Sequence, residues 1–228
     1  MIKKAIPLLL ALAGVCHVSL ADEVKGDASK GANKAFTCIG CHGIVGYQAT
    51  FPEIYKVPKI SGQGGKYIVS ALQAYAKGDR KHPTMRAIAV SLSDQDMADL
   101  AAFYESSGKD SAAPAMAATV AAAPDALKDR LAACVACHGA NYRTPIDPTY
   151  PRLAGQHADY LAAALRAYQT DGNPRVGRVN ATMRGQVVQE ADGKKKLTFN
   201  VAEIKQVAAY LAALPSDLKV VPQAGFRH

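Results

Sequence analysis

The sequence has no tryptophan and only five cysteines among its 228 residues. Beyond the N-terminus it also lacks a long hydrophobic run, so no later stretch approaches the roughly 20 residues of a transmembrane helix. Its 27 lysines and arginines exceed its 19 acidic residues, giving a net charge of +8, but they are scattered and not interleaved with aromatic residues. The sequence therefore does not indicate a nucleic-acid partner. The charge favours acidic protein partners or peripheral contact with an anionic membrane surface.

The N-terminus is typical of an export signal. Two lysines precede an apolar stretch, Ile6 to Val15, that is too short to span a bilayer. Small residues predict cleavage after Ala21, so residues 1–21 form the expected signal peptide. Cys16 lies within this segment and fits a lipid-attachment site poorly.

The other four cysteines lie in two copies of one motif, in which two cysteines three positions apart are followed directly by a histidine. The copies are Cys38, Cys41 and His42, and Cys134, Cys137 and His138. This pattern is typical of covalent c-type haem attachment. Residues i and i+3 share one face of a helical turn, so both thiols can reach the vinyl groups on one porphyrin edge. The histidine can then bind the iron as proximal ligand. The sequence predicts two covalently bound haem c groups.

Other uses of these cysteines fit less well. No thiol remains for a disulfide once both motifs are formed. A zinc site would require the two pairs to meet across more than 90 residues, far from the usual ribbon spacing. A thioredoxin-type motif requires a βαβ context, whereas the surrounding sequence predicts helices. Because bacteria attach haem covalently outside the cytoplasmic membrane, we expect the mature protein in the periplasm.

The sequence repeats itself at an offset of 93 residues. The segment PKISGQ at 58–63 is echoed by PRLAGQ at 151–156, and the helical patterns that follow also recur. A stretch rich in Ala, Ser, Gly and Pro, 106–124, predicts a linker between domains at 22–105 and 125–228. We expect an all-α fold of two tandem domains, each a small bundle of about three helices around one haem.

Local signals place several helix ends and one turn. Capping residues are predicted at Gly78, at Ser93, and at Asn200 together with Glu203. The second half also contains an insert, 185–199, in which Ala191-Asp192-Gly193 favours a short β-hairpin. We interpret this insert as a surface embellishment.

Each iron also needs a second axial ligand, for which Met85 and Met183 are the best candidates. They lie 43 and 45 residues after the histidines of their motifs, in irregular segments before the last helix, and each is followed by arginine. Met97 has the spacing of a core residue within a helix, and His82 and His157 lack a counterpart in the other half. The sequence therefore predicts His/Met ligation of both irons. The predicted ligands are His42, Met85, His138 and Met183.

The order of features in each half resembles a class I cytochrome c domain. That order is CxxCH, then Pro-x-x-x-Gly, a tyrosine-bearing helix, a methionine and a closing helix. The tandem arrangement resembles the dihaem cytochrome c4 family over nearly the whole mature chain. The segments that carry this resemblance are PKISGQ, PRLAGQ, PTMR and LSDQD. The resemblance implies periplasmic electron transfer, with a quinol-oxidising complex or dehydrogenase upstream and a terminal oxidase downstream. It also implies that the carbonyls of Pro58 and Pro151 accept the second N–H of each proximal histidine. The long insert after Met183 departs from the pattern.

If both irons are closed by methionine, no substrate can reach the metal, so we expect an electron carrier and not an enzyme. One alternative is a cytochrome subunit of a periplasmic dehydrogenase, such as a flavoprotein that oxidises sulfide. Another is a dihaem enzyme, such as a peroxidase or a thiosulfate-oxidising cytochrome. An enzyme of this kind requires an open or Cys/His-ligated iron, and no spare cysteine exists.

Overall fold

The computed structural model describes residues 24–107 and 123–222. The expected signal peptide, 1–21, and most of the expected linker, 106–124, lie outside these residues. Within the described ranges, α-helices form two bundles and the strands are only two to four residues long. None of the helices in these ranges combines the length and apolar character needed to cross a membrane.

The N-terminal domain contains five helices and three short strands within residues 24–107. They are α1 (Ala28–Lys34), α2 (Phe36–His42), β1 (Gln48–Ala49), β2 (Tyr55–Lys56), α3 (Gly65–Lys77), β3 (Arg80–Lys81), α4 (Pro83–Ala89) and α5 (Asp94–Ser106). Helix α5 packs against both α1 and α3. The core between these helices includes Ile39, Ile68, Leu100 and Tyr104.

The C-terminal domain repeats this plan within residues 123–222. A 3₁₀ turn (Asp125–Leu127) precedes α6 (Lys128–His138), α7 (Ala158–Gln169), β4 (Gly177–Arg178), α8 (Ala181–Val187), β5 (Val188–Ala191), β6 (Lys194–Leu197) and α9 (Val201–Ala213). Helix α7 packs on α9 as α3 packs on α5. The predicted fold, two tandem all-α domains with a short hairpin in the second, is confirmed.

The predicted caps are present in the structure. Gly78 ends α3 in the left-handed conformation, with φ 86°, which a residue without Cβ adopts readily. Ser93 begins α5 and forms a capping box with Asp96, and Asn200 forms the equivalent box with Glu203 at α9. These signals were readable because each depends on residues no more than three positions apart.

The hairpin is confirmed, but its base is more than a surface feature. Strands β5 and β6 pair antiparallel, and the turn residues Asp192 and Gly193 both have positive φ, as a tight hairpin turn requires. Every residue of β6 is exposed. At the base of the hairpin, however, Val187, Val188 and Phe199 belong to the buried core of the domain. The insert therefore contributes apolar surface to the core as well as an exposed ribbon.

Two further details differ from the sequence prediction. The segments around Met85 and Met183, predicted to be irregular, each form a two-turn helix, α4 and α8. Pro83 at the first position of α4 suits a helix start, because its missing N–H would have no partner there. The first domain also contains a small pair of strands, β1 and β2, between α2 and α3, which the sequence did not predict.

The two domains pack directly against each other. Strand β3 of the first pairs antiparallel with β4 of the second, with Arg80 opposite Arg178. The backbone N–H of Val179 extends this contact by donating to the carbonyl of Asp79 at 2.7 Å. The sequence did not indicate how the domains pack, since this pairing joins segments nearly one hundred residues apart.

Candidate haem-binding site

Both cysteine motifs lie at helix ends that face the interior of the molecule. Helix α2 carries Cys38, Cys41 and His42, and α6 carries the equivalent residues of the second domain. All four thiols are partly buried. The helical conformation places each cysteine pair one turn apart on the same face, which is the arrangement that attachment to one porphyrin edge needs.

Each motif histidine is oriented by a backbone carbonyl, as the resemblance implies. His42 Nδ1 lies 2.8 Å from the carbonyl oxygen of Pro58, and His138 Nδ1 lies 3.0 Å from that of Pro151. A carbonyl oxygen can only accept, so Nδ1 carries the proton and Nε2 keeps its lone pair for a metal. Burial lowers the pKa of both imidazoles, which favours this neutral form.

The two methionines occupy equivalent positions in the first turns of α4 and α8. Met85 N–H donates to Nδ1 of His82 at 3.3 Å, and Met183 N–H donates to Oδ1 of Asn180 at 2.9 Å. His82 and Asn180 are the N-caps of their helices, so they hold the same structural position although the residues differ. The sequence does not show this equivalence, because the two residues differ in type and lie 98 residues apart, five more than the repeat offset of 93.

All eight residues predicted to hold haem line one cavity of about 750 Å³. These residues are Cys38, Cys41, His42, Met85, Cys134, Cys137, His138 and Met183. The cavity runs through both domains, so the two motifs share a continuous space. Its walls include apolar side chains from each bundle, such as Leu72 and Leu165, at positions related by the repeat. An apolar cavity of this size suits a large planar cofactor.

A pair of arginines supplies positive charge inside this cavity. Arg80 is 8% exposed and lies where the domains meet, and Arg178 is partly buried opposite it. Arg80 Nε is buried and has no hydrogen-bond partner among the described residues. Neither arginine forms an ion pair with a carboxylate of residues 24–107 or 123–222. Two guanidinium groups, one buried and one partly buried, without a protein anion in these ranges fit the carboxylates of haem, because buried charges are normally paired.

Several tyrosines contact these arginines, among them Tyr67, Tyr75, Tyr160 and Tyr168. Arg80 donates to the hydroxyls of Tyr67 at 3.1 Å and Tyr160 at 2.5 Å, and Arg178 donates to Tyr160 at 3.2 Å. Burial alone would raise the pKa of Tyr160, but the two guanidinium groups lower it to about 7. The cluster thus has a strong positive potential that favours an anion.

The sequence singled out neither arginine. Arg80 has no repeat partner at the offset of 93 residues, because the second domain reaches Arg178 only after five additional residues. Gln63 and Gln156 did stand out, as the last residues of the repeated hexapeptide, but no role followed from the sequence. In the structure both line the cavity, next to the prolines that contact the motif histidines.

Comparisons with known proteins agree with this architecture. The family model of cytochrome c matches residues 28–107 and 127–215. Cytochrome c4 from Azotobacter vinelandii is 35% identical over 176 residues, which covers 71% of this chain and 79% of the relative. A thiosulfate dehydrogenase electron acceptor from Stutzerimonas stutzeri is 32% identical, covering 78% of this chain and 89% of the relative. The crystal structure of reduced recombinant cytochrome c4 from Pseudomonas stutzeri superposes with a TM-score of 0.56 at 27% identity, covering 83% of this chain and 99% of that one.

Proposed function

The chain belongs to the cytochrome c4 family of dihaem electron carriers, and we propose that it relays single electrons between periplasmic redox proteins through two closed, six-coordinate irons. In this proposal the cysteine pairs attach the haems, His42 and Met85 ligate one iron, and His138 and Met183 ligate the other. The observation that carries the proposal is that these residues of both domains line a single cavity.

The haem groups, when bound, supply one-electron redox chemistry at their irons. The chain's own residues position and tune them. The Pro58 carbonyl fixes the orientation of His42 and raises its basicity as a ligand, and the Pro151 carbonyl does the same for His138. A soft thioether ligand favours the ferrous state and so raises the potential. If the histidine and the methionine of each domain both hold its iron, no position on the metal would be left for a substrate, which is the property of a carrier and not of an enzyme.

For the partners, we favour a dehydrogenase as donor and a terminal oxidase as acceptor. A relative whose name is thiosulfate dehydrogenase electron acceptor supports a dehydrogenase upstream. Without Lys3 and Lys4 of the expected signal peptide the net charge is 25 − 19 = +6, which suits an acidic docking surface on either partner, with an association rate that falls as salt is added. The same relative also keeps open a second function, a cytochrome subunit that stays bound to its dehydrogenase. The export signal predicted from the N-terminal sequence supports a periplasmic location.

The optical spectrum of the purified oxidised protein tests the ligand set. Two low-spin haems with the weak methionine-to-iron charge-transfer band are expected. A high-spin contribution from either haem would mean an open iron, and would favour the dihaem enzyme in place of the carrier.

Purification from the native periplasm separates the two carrier functions. A free carrier should elute at the size of its own chain and should be reduced at a salt-dependent rate by a fraction that contains the dehydrogenase. Co-elution with a dehydrogenase subunit through gel filtration would instead identify it as a permanent subunit.

A further inference from the structure

Two glutamines cross the domain boundary in a reciprocal arrangement. Gln63 Oε1 accepts from the backbone N–H of Arg152 at 2.8 Å, and its Nε2 donates to the Arg152 carbonyl at 3.1 Å. Gln156 Oε1 accepts from the N–H of Lys59 at 2.9 Å, and its Nε2 donates to the Lys59 carbonyl at 2.8 Å. Each glutamine therefore binds the residue that directly follows the histidine-binding proline of the other domain.

The contact matters because the peptide group whose N–H binds the glutamine is the same one whose oxygen binds the motif histidine. The Pro58–Lys59 peptide accepts from His42 through its oxygen and donates to Gln156 through its nitrogen. The equivalent Pro151–Arg152 peptide accepts from His138 and donates to Gln63. An amide that donates through N–H carries more negative charge on its oxygen, since hydrogen bonds in a chain polarise one another. Each glutamine therefore makes the carbonyl on its partner peptide a stronger acceptor.

We propose that Gln63 and Gln156 are positioning residues that tune the proximal histidine of the opposite domain. A stronger acceptor at Nδ1 makes the imidazole a more basic ligand, which favours ferric iron and lowers the potential. Gln156 thus lowers the potential of the haem held by His42, and Gln63 that of the haem held by His138. This inference rests on the proposed ligation by these histidines.

Both amides are fixed well enough for this role. Gln63 is 3% exposed and Gln156 is 4% exposed. Each Oε1 also accepts the N–H of the next residue, Gly64 at 3.0 Å or His157 at 3.0 Å, so the oxygen and nitrogen ends of the amide cannot exchange without losing bonds. The side chains of the two basic residues also cross the boundary: Lys59 Nζ donates to the Gly155 carbonyl, and Arg152 Nη1 donates to the Gly62 carbonyl.

The experiment is a reciprocal pair of substitutions, Gln63→Leu and Gln156→Leu, in the full dihaem protein. The haem methyl signals in the proton NMR spectrum, assigned to each domain by contacts with neighbouring residues, are followed through a redox titration. Gln156→Leu should raise the potential of the N-terminal haem and leave the other unchanged, and Gln63→Leu should do the opposite. A shift confined to the haem of the substituted domain, or no shift, overturns the proposal.

A loosened interface gives a different result. Water that enters the cavity stabilises the more highly charged ferric state, so a merely structural role lowers the potential of both haems. Gln156→Glu retains an oxygen acceptor for Lys59 N–H and should return the N-terminal potential to the wild-type value or below it. A rise like that of the leucine variant would refute the mechanism.

Gln169→Leu is the matched control. It removes two side-chain hydrogen bonds, to the carbonyls of Val187 and Phe199, without touching either histidine-binding peptide, and should shift neither potential. An equal shift in this control overturns the assignment. The wild-type spectrum tests the ligation by itself, so failure of the proposed function is seen before any glutamine is changed.

Discussion

Arg80 of the first domain donates from Nη2 to the hydroxyl of Tyr160 in the second, at 2.5 Å, and this contact places a buried guanidinium where the two domains meet. The same arginine lines the cavity and keeps Nε without a partner among the described residues. Because this charge lies where the two halves of the molecule meet, we expect both the packing of the domains and the redox properties to depend on the same side chain.

We therefore expect Arg80→Leu to lower both haem potentials by on the order of tens of millivolts, because a nearby positive charge favours the reduced state. Spectroelectrochemical titration measures the change. Arg175→Leu is a suitable control, since Arg175 is exposed beside the ring of Phe51 and solvent screens its charge. Equal shifts of the haem potentials in the two variants would show that the burial of Arg80 does not affect these potentials.

Met85→Ala should open the iron of the N-terminal haem if Met85 is its ligand. The charge-transfer band should fall to about half, with a high-spin or water-ligated signal from one haem only. Met97→Ala provides the control, because Met97 is 3% exposed in the core of the same domain. Its loss should cost about 2–5 kcal/mol of stability and leave the visible spectrum intact. A change of axial ligation in Met97→Ala would reverse the assignment.

The features predictable from the sequence are those encoded over a few neighbouring residues. The haem motifs, the cap at Ser93 and the turn at Asp192-Gly193 each depend on contacts within one turn. The domain interface depends instead on residues such as Arg80 and Tyr160, which meet only after both bundles have formed. No local pattern encodes a two-residue strand pairing like that of β3 and β4, so the arginine cluster could not be derived from the sequence.

Asp99 should make the N-terminal domain sensitive to acid. Its carboxylate is fully buried and accepts from Lys34 at 2.7 Å, from the N–H of Asp27 at 2.9 Å and from Gln95 at 2.8 Å. These bonds, that of Lys34 above all, hold the pKa of Asp99 at about 2, below its ordinary value of 3.8. The stabilisation is therefore complete above about pH 5 and is lost progressively as the pH falls through 3.8 and then through the folded pKa of about 2.

Denaturant titrations between pH 7 and pH 2 measure this effect. Asp99→Asn should be less stable than wild type at pH 7 and should lose less stability on acidification. Asp94→Asn, an exposed substitution in the first turn of the same helix, should follow the wild-type profile. Parallel pH profiles for wild type and Asp99→Asn would contradict the role of the buried carboxylate.

Gly31 sets the distance between α1 and α5. A Cβ at this position would lie 2.0 Å from the backbone carbonyl oxygen of Asp99, which no rotamer change can relieve because the obstacle is main chain. Gly31→Ala should therefore push the helices apart and disturb the Lys34–Asp99 contact. We expect a loss of about 1–3 kcal/mol or more in the free energy of unfolding, measured by denaturant titration of the haem-loaded protein.

Gly40 provides the opposite case within the haem motif itself. Among the described residues, a Cβ there meets no atom within 4 Å beyond its chain neighbours and the nearby backbone of its own helix, and the second motif has Ala136 at the equivalent position. Since Ala136 lies between Cys134 and Cys137, the side chain of alanine is compatible with the motif. Gly40→Ala should then be neutral or should stabilise α2 by roughly 0.5–1 kcal/mol, because alanine loses less backbone entropy in a helix. Equal destabilisation by the two alanine substitutions would show that glycine is needed for chain flexibility, and that the close approach of α1 to α5 is not the cause.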